Sequence, residues 1–204
     1  MSIPTRQQFH AAIESFLQDV HAHASPSCVW TLHTDDKLGY QFLSSKVSVR
    51  SDSDAVSPTV LDESDSVQEY CDPATVDMSS RCYVDVEYSI IYSPTYRVPV
   101  LYFNAYKSEG TVMTLDEIYK HLVSREFQNN LRTSPVGIHG SITQGEHPVT
   151  GLPCWYLHPC ETQRLMQAIQ IPLSTQNYIK TWLSFVGPAV NCTLPHTLFE
   201  TQPH

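Results

Sequence analysis

The sequence predicts an α+β fold in which helices are segregated from an antiparallel meander sheet. Three observations carry that prediction. Apolar residues recur at helical spacing near both ends of the chain. β-Branched and aromatic runs cluster between them. Short turn-like stretches join those runs, where a parallel sheet would need helical crossovers. With 204 residues, the chain is read as one domain over 1–204, large enough to fold without a disulfide or a metal.

The elements follow in order. The first helix is expected over 5–20, where Phe9, Ile13, Phe16, Leu17 and Val20 form one stripe and Thr5 with Gln8 has capping-box spacing. Strands are expected over 28–33 and 40–43, separated by a turn at 35–39, and 46–50 prolongs the second. Residues 51–77, rich in Ser, Asp and Pro, read as a long, mobile acidic surface loop. Two aromatic strands follow over 81–92 and 97–106, joined by a turn at Ser93, Pro94 and Thr95. Pro99 has no N–H to donate, so it belongs at an edge, a bulge or a strand start. A single helix is expected over 114–131, with a capping box from Thr114 to Glu117 and an inner face of Ile118, Leu122, Val123 and Leu131. Residues 132–145 read as irregular, 153–157 as short and extended. Helices are expected over 161–170 and 174–186, the latter stopped by Gly187 and Pro188.

The formal net charge of -9 comes from one place. Residues 1–50 and 88–204 each balance, whereas 51–87 carries ten acids and a single base, Arg81. That is neither the basic footprint of a nucleic-acid binder nor that of a protein drawn to anionic lipid. The acidic stretch reads either as a solvated loop or as a docking surface for a basic partner. No apolar run of signal-peptide or membrane-spanning length is visible. The six cysteines have no repeating interval, and reduced thiols in a cytoplasmic protein are expected.

Candidate chemistry centres on Cys160, in His158-Pro159-Cys160-Glu161-Thr162. Pro159 blocks helix before it and a helical pattern begins after it. The thiol is thus expected at a helix N-terminus, where free amides favour a thiolate. A thiolate there suits thioester chemistry, being the leaving group when an amine attacks the carbonyl. The competing reading is a buried small hydrophobe. Cys154, His158 and Cys160 also lie near one another, but no second ligand pair exists to complete a closed zinc site. A nucleophile–base pair with His147 or His158 is a third reading, weakened by the abundance of histidine. There is no GxSxG, P-loop or GxGxxG, so nucleotide and dinucleotide chemistry have no support.

From Ile142 onward the sequence resembles a known family. Ile142-Thr143-Gln144-Gly145-Glu146-His147-Pro148, then Leu157-His158-Pro159-Cys160-Glu161-Thr162, carry the resemblance. So does the stretch from Asn177 through Trp182 to Gly187-Pro188-Ala189-Val190. Upstream, Tyr88 to Tyr92 and Tyr96-Arg97-Val98-Pro99-Val100-Leu101-Tyr102-Phe103 look like the same family's central hairpin. The family is the E2-like enzymes of autophagy that conjugate ubiquitin-like proteins. The resemblance implies an E2-like core and a catalytic cysteine at Cys160. It also implies three partners. An E1-like enzyme, autophagy protein seven, activates the ubiquitin-like autophagy protein twelve. The E2-like cysteine takes that protein as a thioester, then passes it to a lysine of autophagy protein five. No cofactor, metal, nucleic acid or stable membrane insertion is implied, and nothing demands more than a monomer.

Ordinary ubiquitin-conjugating enzymes carry His-Pro-Asn before the cysteine, and that Asn steadies the oxyanion. Here the stretch reads His147-Pro148-Val149. Candidates for the missing support are Gln144, Thr143, His147 and His158, with Tyr88 on the adjoining strand as a further one. Within the class, the alternative is the sister enzyme that attaches a ubiquitin-like protein to a lipid. Outside it, the alternatives are an E2-shaped, non-catalytic adaptor and a purely structural scaffold.

Overall fold

The computed structural model describes residues 5–23, 29–37, 39–51, 83–133, 141–168 and 177–199. Helix α1 (Arg6–His23) buries Phe9, Ala12, Ile13, Phe16, Leu17 and Val20, the expected stripe. Its capping box closes reciprocally: the Thr5 N–H donates to Gln8 Oε1 at 2.8 Å and the Gln8 N–H to Thr5 Oγ1 at 3.2 Å. Strands β1 (Thr31–Asp35), β2 (Tyr40–Arg50), β3 (Tyr83–Ser93) and β4 (Val98–Tyr106) form an antiparallel meander. β1 starts later than expected, and Cys28 lies outside the described residues. β2 fuses the two expected segments into one strand.

The C-terminal half adds two strands, β5 (Ile142–Glu146) and β6 (Pro153–Leu157), with β6 beside β4. The six-stranded sheet has the order β1-β2-β3-β4-β6-β5. β5 corrects the irregular reading of 132–145. It is an edge strand with a single buried residue, Ile142, and so lacks the apolar alternation that marks a half-buried strand. Pro99 is the second residue of β4, opposite Tyr92. The β6 ladder reaches β4 only at Tyr102 and Phe103, so Pro99 sits at a strand start.

The helix expected over 114–131 is two helices, α2 (Leu115–His121) and α3 (Arg125–Thr133). The consecutive residues Leu122 and Val123 are both buried, at 0% and 1% exposure. Side-chain amides satisfy the carbonyls freed at the break. Gln128 Nε2 donates to Tyr119 O (2.8 Å) and Val123 O (3.1 Å), and Asn191 Nδ2 donates to Leu122 O (2.8 Å).

After β6 come a 3-10 turn (Pro159–Glu161), α4 (Thr162–Ala168) and α5 (Tyr178–Val186). α5 tightens into a 3-10 turn over Gly187–Val190, where Asn191 closes the end at φ 56°. One face of the sheet carries Val84, Val86, Tyr88, Ile90, Leu101 and Phe103 against Phe9, Ile13 and Phe16 of α1 and Trp182 and Leu183 of α5. The opposite face also buries Phe42, Ile91, Val98, Val100 and Cys154. Among the described residues no helix is long and apolar enough to cross a membrane.

Arg50 at the end of β2 pairs with Tyr83 at the start of β3. The acidic stretch is therefore an insertion between two paired strand ends. The loop expected over 51–77 lies outside the described residues apart from Ser51.

Candidate active site

The backbone of β6 delivers the cysteine. Leu157 is the strand's last buried residue, and the His158 N–H extends the ladder by one more bond, to Ser141 O at 2.9 Å. His158 is extended (φ -63°, ψ 126°), as a residue before proline should be. Pro159 is buried and opens the 3-10 turn, and Cys160 follows on the surface. The Cys154 and Cys192 thiols are buried. Burial pushes Cys154 up to about 11, so it stays a protonated, packed thiol at neutral pH. Cys28, Cys71 and Cys82 lie outside the described residues. Among those residues, no group of three or more His, Cys, Asp or Glu side chains is gathered as a metal site.

Cys160 does not sit at the terminus of a long helix. It lies one 3-10 turn before α4, which has seven residues, and its own N–H is already engaged. The acceptor is His158 Nδ1 at 3.3 Å. Because Nδ1 accepts, a neutral His158 carries its proton on Nε2, and Tyr96 Oη lies 3.2 Å from that nitrogen. The ring thus has no lone pair left for a thiol proton, and the nucleophile–base reading with His158 loses its physical basis. The imidazole lies between two tyrosines: edge-on to Tyr96 (5.3 Å, 79°) and tilted against Tyr156 (6.2 Å, 34°). Tyr96 reaches this position from the β3–β4 turn, where its N–H meets Ser93 Oγ (3.3 Å) and Arg97 adopts a left-handed φ of 58°. Gly145, on β5, permits the placement of Tyr156, since a Cβ there would come within 2.9 Å of the Tyr156 ring.

The other sequence candidates scatter. Thr143 pairs with Tyr156, and strand alternation sets it on the same face as Ser141, whose hydroxyl oxygen is 3.4 Å from its own. Gln144 pairs with Trp155, points to the opposite face and is exposed. His147 is beyond the far end of β5, packed against Phe42 (5.4 Å) and Tyr102 (5.9 Å). Its Nδ1 accepts the amides of Val149 (3.3 Å) and Thr150 (3.2 Å), so it builds the β5–β6 turn and is not part of the cysteine's surroundings. Tyr88 is a core residue at 1% exposure whose hydroxyl donates to Val190 O at 2.5 Å, which removes it from the site. Tyr96, Tyr156 and Ser141 were not among the candidates. Tyr96 lies 62 positions from His158, and no local pattern links the two.

A family profile described as "Autophagocytosis associated protein, active-site domain" matches residues 8–197. Curated relatives carry the name "Ubiquitin-like-conjugating enzyme ATG10". The Dictyostelium discoideum protein is 38% identical over 130 residues (57% of this chain, 54% of that protein). The Homo sapiens protein is 40% identical over 116 residues (55% and 51%). The Gibberella zeae protein is 31% identical over 166 residues (78% and 65%). The match thus spans only about half the length of the first two relatives. A solved structure titled "Crystal structure of Autophagic E2, Atg10" aligns with a TM-score of 0.46 and 16% identity, covering 95% of this chain and 100% of that one.

Proposed function

The chain belongs to the autophagocytosis-associated active-site family, and from that premise we propose that it is an E2-like transferase working through a Cys160 thioester. The observation that carries the reading is the exposed Cys160 thiol, set on a tight turn directly after a buried proline, in a chain whose relatives are named conjugating enzymes. The thiolate attacks the carbonyl carbon of the thioester held by the E1-like autophagy protein seven, and the E1 thiolate leaves. The cargo is the ubiquitin-like autophagy protein twelve. A lysine amine of autophagy protein five then attacks the same carbonyl, Cys160 leaves as thiolate, and the ammonium proton passes to solvent. The product is an isopeptide bond. Desolvation as the proteins meet lowers the lysine pKa, so the step needs no dedicated base. The setting is the cytoplasm.

The transition-state oxyanion needs a donor. Of the sequence candidates, Thr143 is favoured, because its hydroxyl lies on the face of β5 that also carries Ser141, whose carbonyl holds the His158 amide. His158 acts by capping the cysteine's turn.

The test mixes the chain with E1-like enzyme, ATP and one ubiquitin-like protein at a time, followed by a non-reducing gel. A reductant-sensitive band with protein twelve supports the proposal. A band only with the lipid-conjugated protein would transfer the reading to the sister enzyme, and no band with either would make the chain an adaptor.

A further inference from the structure

We propose that the cavity between the core-facing side of β2 and the chain over 191–195 binds a small, neutral aromatic alcohol, a flat apolar body carrying one hydrogen-bond donor. The inference stands apart from the thioester reading. The cavity has a volume of about 260 Å³. For scale, benzene binds in an engineered cavity of about 150 Å³ in another protein. Ser45, Val47 and Val49 of β2 and Tyr88 of β3 form one wall, and Cys192 lies in the other. Trp30 also lines the space.

The cavity arises because the core side of β2 changes along its length. Leu43 and Ser45 are buried there, whereas Val47 and Val49 are only half-buried. What faces those two valines is the chain over 191–195. Both walls are held in place. On the sheet side, Val47 pairs with Val86 and Val49 with Val84. On the other side, the Cys192 N–H donates to Gly187 O at 2.9 Å, and Asn191 Nδ2 donates to Leu122 O at 2.8 Å. Asn191 itself takes the left-handed φ of 56° that reverses the chain. A space whose walls are tied elsewhere is a preformed site.

The lining sets the class of ligand. Trp30, Ser45, Tyr88 and Cys192 are each 5% exposed or less, so the space is recessed. It suits a small molecule and excludes a strand or helix of another protein. No Lys, Arg, His, Asp or Glu lines it, so a charged ligand would find no counter-charge. The Trp30 and Tyr88 rings favour an aromatic body. The hydroxyl protons of the deep wall are already committed. Ser45 Oγ donates to Val29 O at 2.6 Å, and Tyr88 Oη donates to Val190 O at 2.5 Å. Each hydroxyl has one proton, so both oxygens can offer only lone pairs. The matching ligand brings the donor.

The test titrates phenol, toluene and anisole into the nitrogen-15-labelled full chain. The three share one ring, and only phenol carries a donor. Phenol should shift the Trp30 indole N–H saturably and leave Trp155 and Trp182, which do not line the cavity, unmoved. Toluene and anisole should bind about three- to tenfold more weakly, the scale of one hydrogen bond. Val47→Phe puts a ring into the same space. It should remove the saturable shift while the melting temperature holds or rises. If that variant does not fold, Leu194→Phe, from the opposite wall, takes its place with the same expectation. Equal affinity for phenol and toluene, or for phenol and anisole, overturns the proposal. So does a shift that moves all three indoles together without saturating, or phenol binding that the filled cavity leaves intact. Charging of Cys160 has no part in these measurements, so a failure to form the thioester would bear on the proposed function alone.

Discussion

Cys160 and Cys154 show how position sets the character of a side chain. They are six residues apart on and just after one strand, yet burial pushes Cys154 up to about 11 while Cys160 lies on the surface. Tyr88 and Tyr96 make the same contrast among tyrosines. Tyr88, whose ionisation burial pushes well above the ordinary range, spends its hydroxyl on Val190 O inside the core. Tyr88→Phe should therefore cost about 1–3 kcal/mol, because it strands a buried carbonyl, and leave the specific activity of the folded protein unchanged. Denaturant titration alongside a charging assay checks both halves. Burial lowers His147 below its ordinary value of 6.5, and its Nδ1 must stay unprotonated to accept two amides. The unfolded chain then takes up the proton first as pH falls. The contribution is fully present above about 6.5 and declines below it. Melting temperature from pH 7.5 to 5.5 should drop more steeply for wild type than for His147→Gln. Parallel slopes would remove the assignment.

The elements differ in how readily they can be read from the sequence. α1 and the β3–β4 hairpin carry strong periodicity and appear where the residues put them. β5 does not, because an edge strand needs only Ile142 inward and its other positions face water or a neighbouring ring. The break between α2 and α3 is equally silent, since its carbonyls are satisfied by Gln128 and by Asn191, the latter 69 residues from Leu122. Gln128→Ala should destabilise the protein by about 1 kcal/mol or more, having removed donors to two backbone oxygens, and thermal or urea unfolding measures it. Gly187 is the most constrained glycine at an element end. A Cβ there would fall 2.0 Å from Cys192 O, against backbone that cannot swing aside. Gly187→Ala is expected to cost about 3 kcal/mol or more, with soluble yield and urea midpoint as the measures. The candidate site divides along the same line. Cys160 and His158 are legible because they are adjacent in a recognisable motif. Tyr96, Tyr156 and Ser141 are not, because sheet register and a turn bring them in.

At the scale of the molecule, the sheet and helices order the chain so that its charge and its chemistry separate. Of the net charge of -9, -7 lies between the paired ends of β2 and β3, and Asp85 and Glu87 on β3 supply the rest. The proposed thioester site follows β6, beyond β4 in strand order. The stretch from 88 to 204 that holds Cys160 carries no net charge. Long-range steering of a basic partner would therefore come from the acidic insertion, whereas local bond-making would feel little of it. Replacing Asp62, Glu63 and Asp65 with Asn, Gln and Asn should leave thioester formation unchanged at low salt if that insertion is only a solvated loop. Slower charging that salt abolishes would mark it as a docking surface.

The central claim is that Cys160 carries the ubiquitin-like protein as a thioester. Intact mass of the charged chain, before and after reductant, tests it most directly when wild type, Cys160→Ser and Cys160→Ala are run together. The account predicts a reductant-labile adduct on wild type, a reductant-stable ester on Cys160→Ser and no adduct on Cys160→Ala. A reductant-labile adduct on either variant would place the chemistry on another cysteine and contradict it.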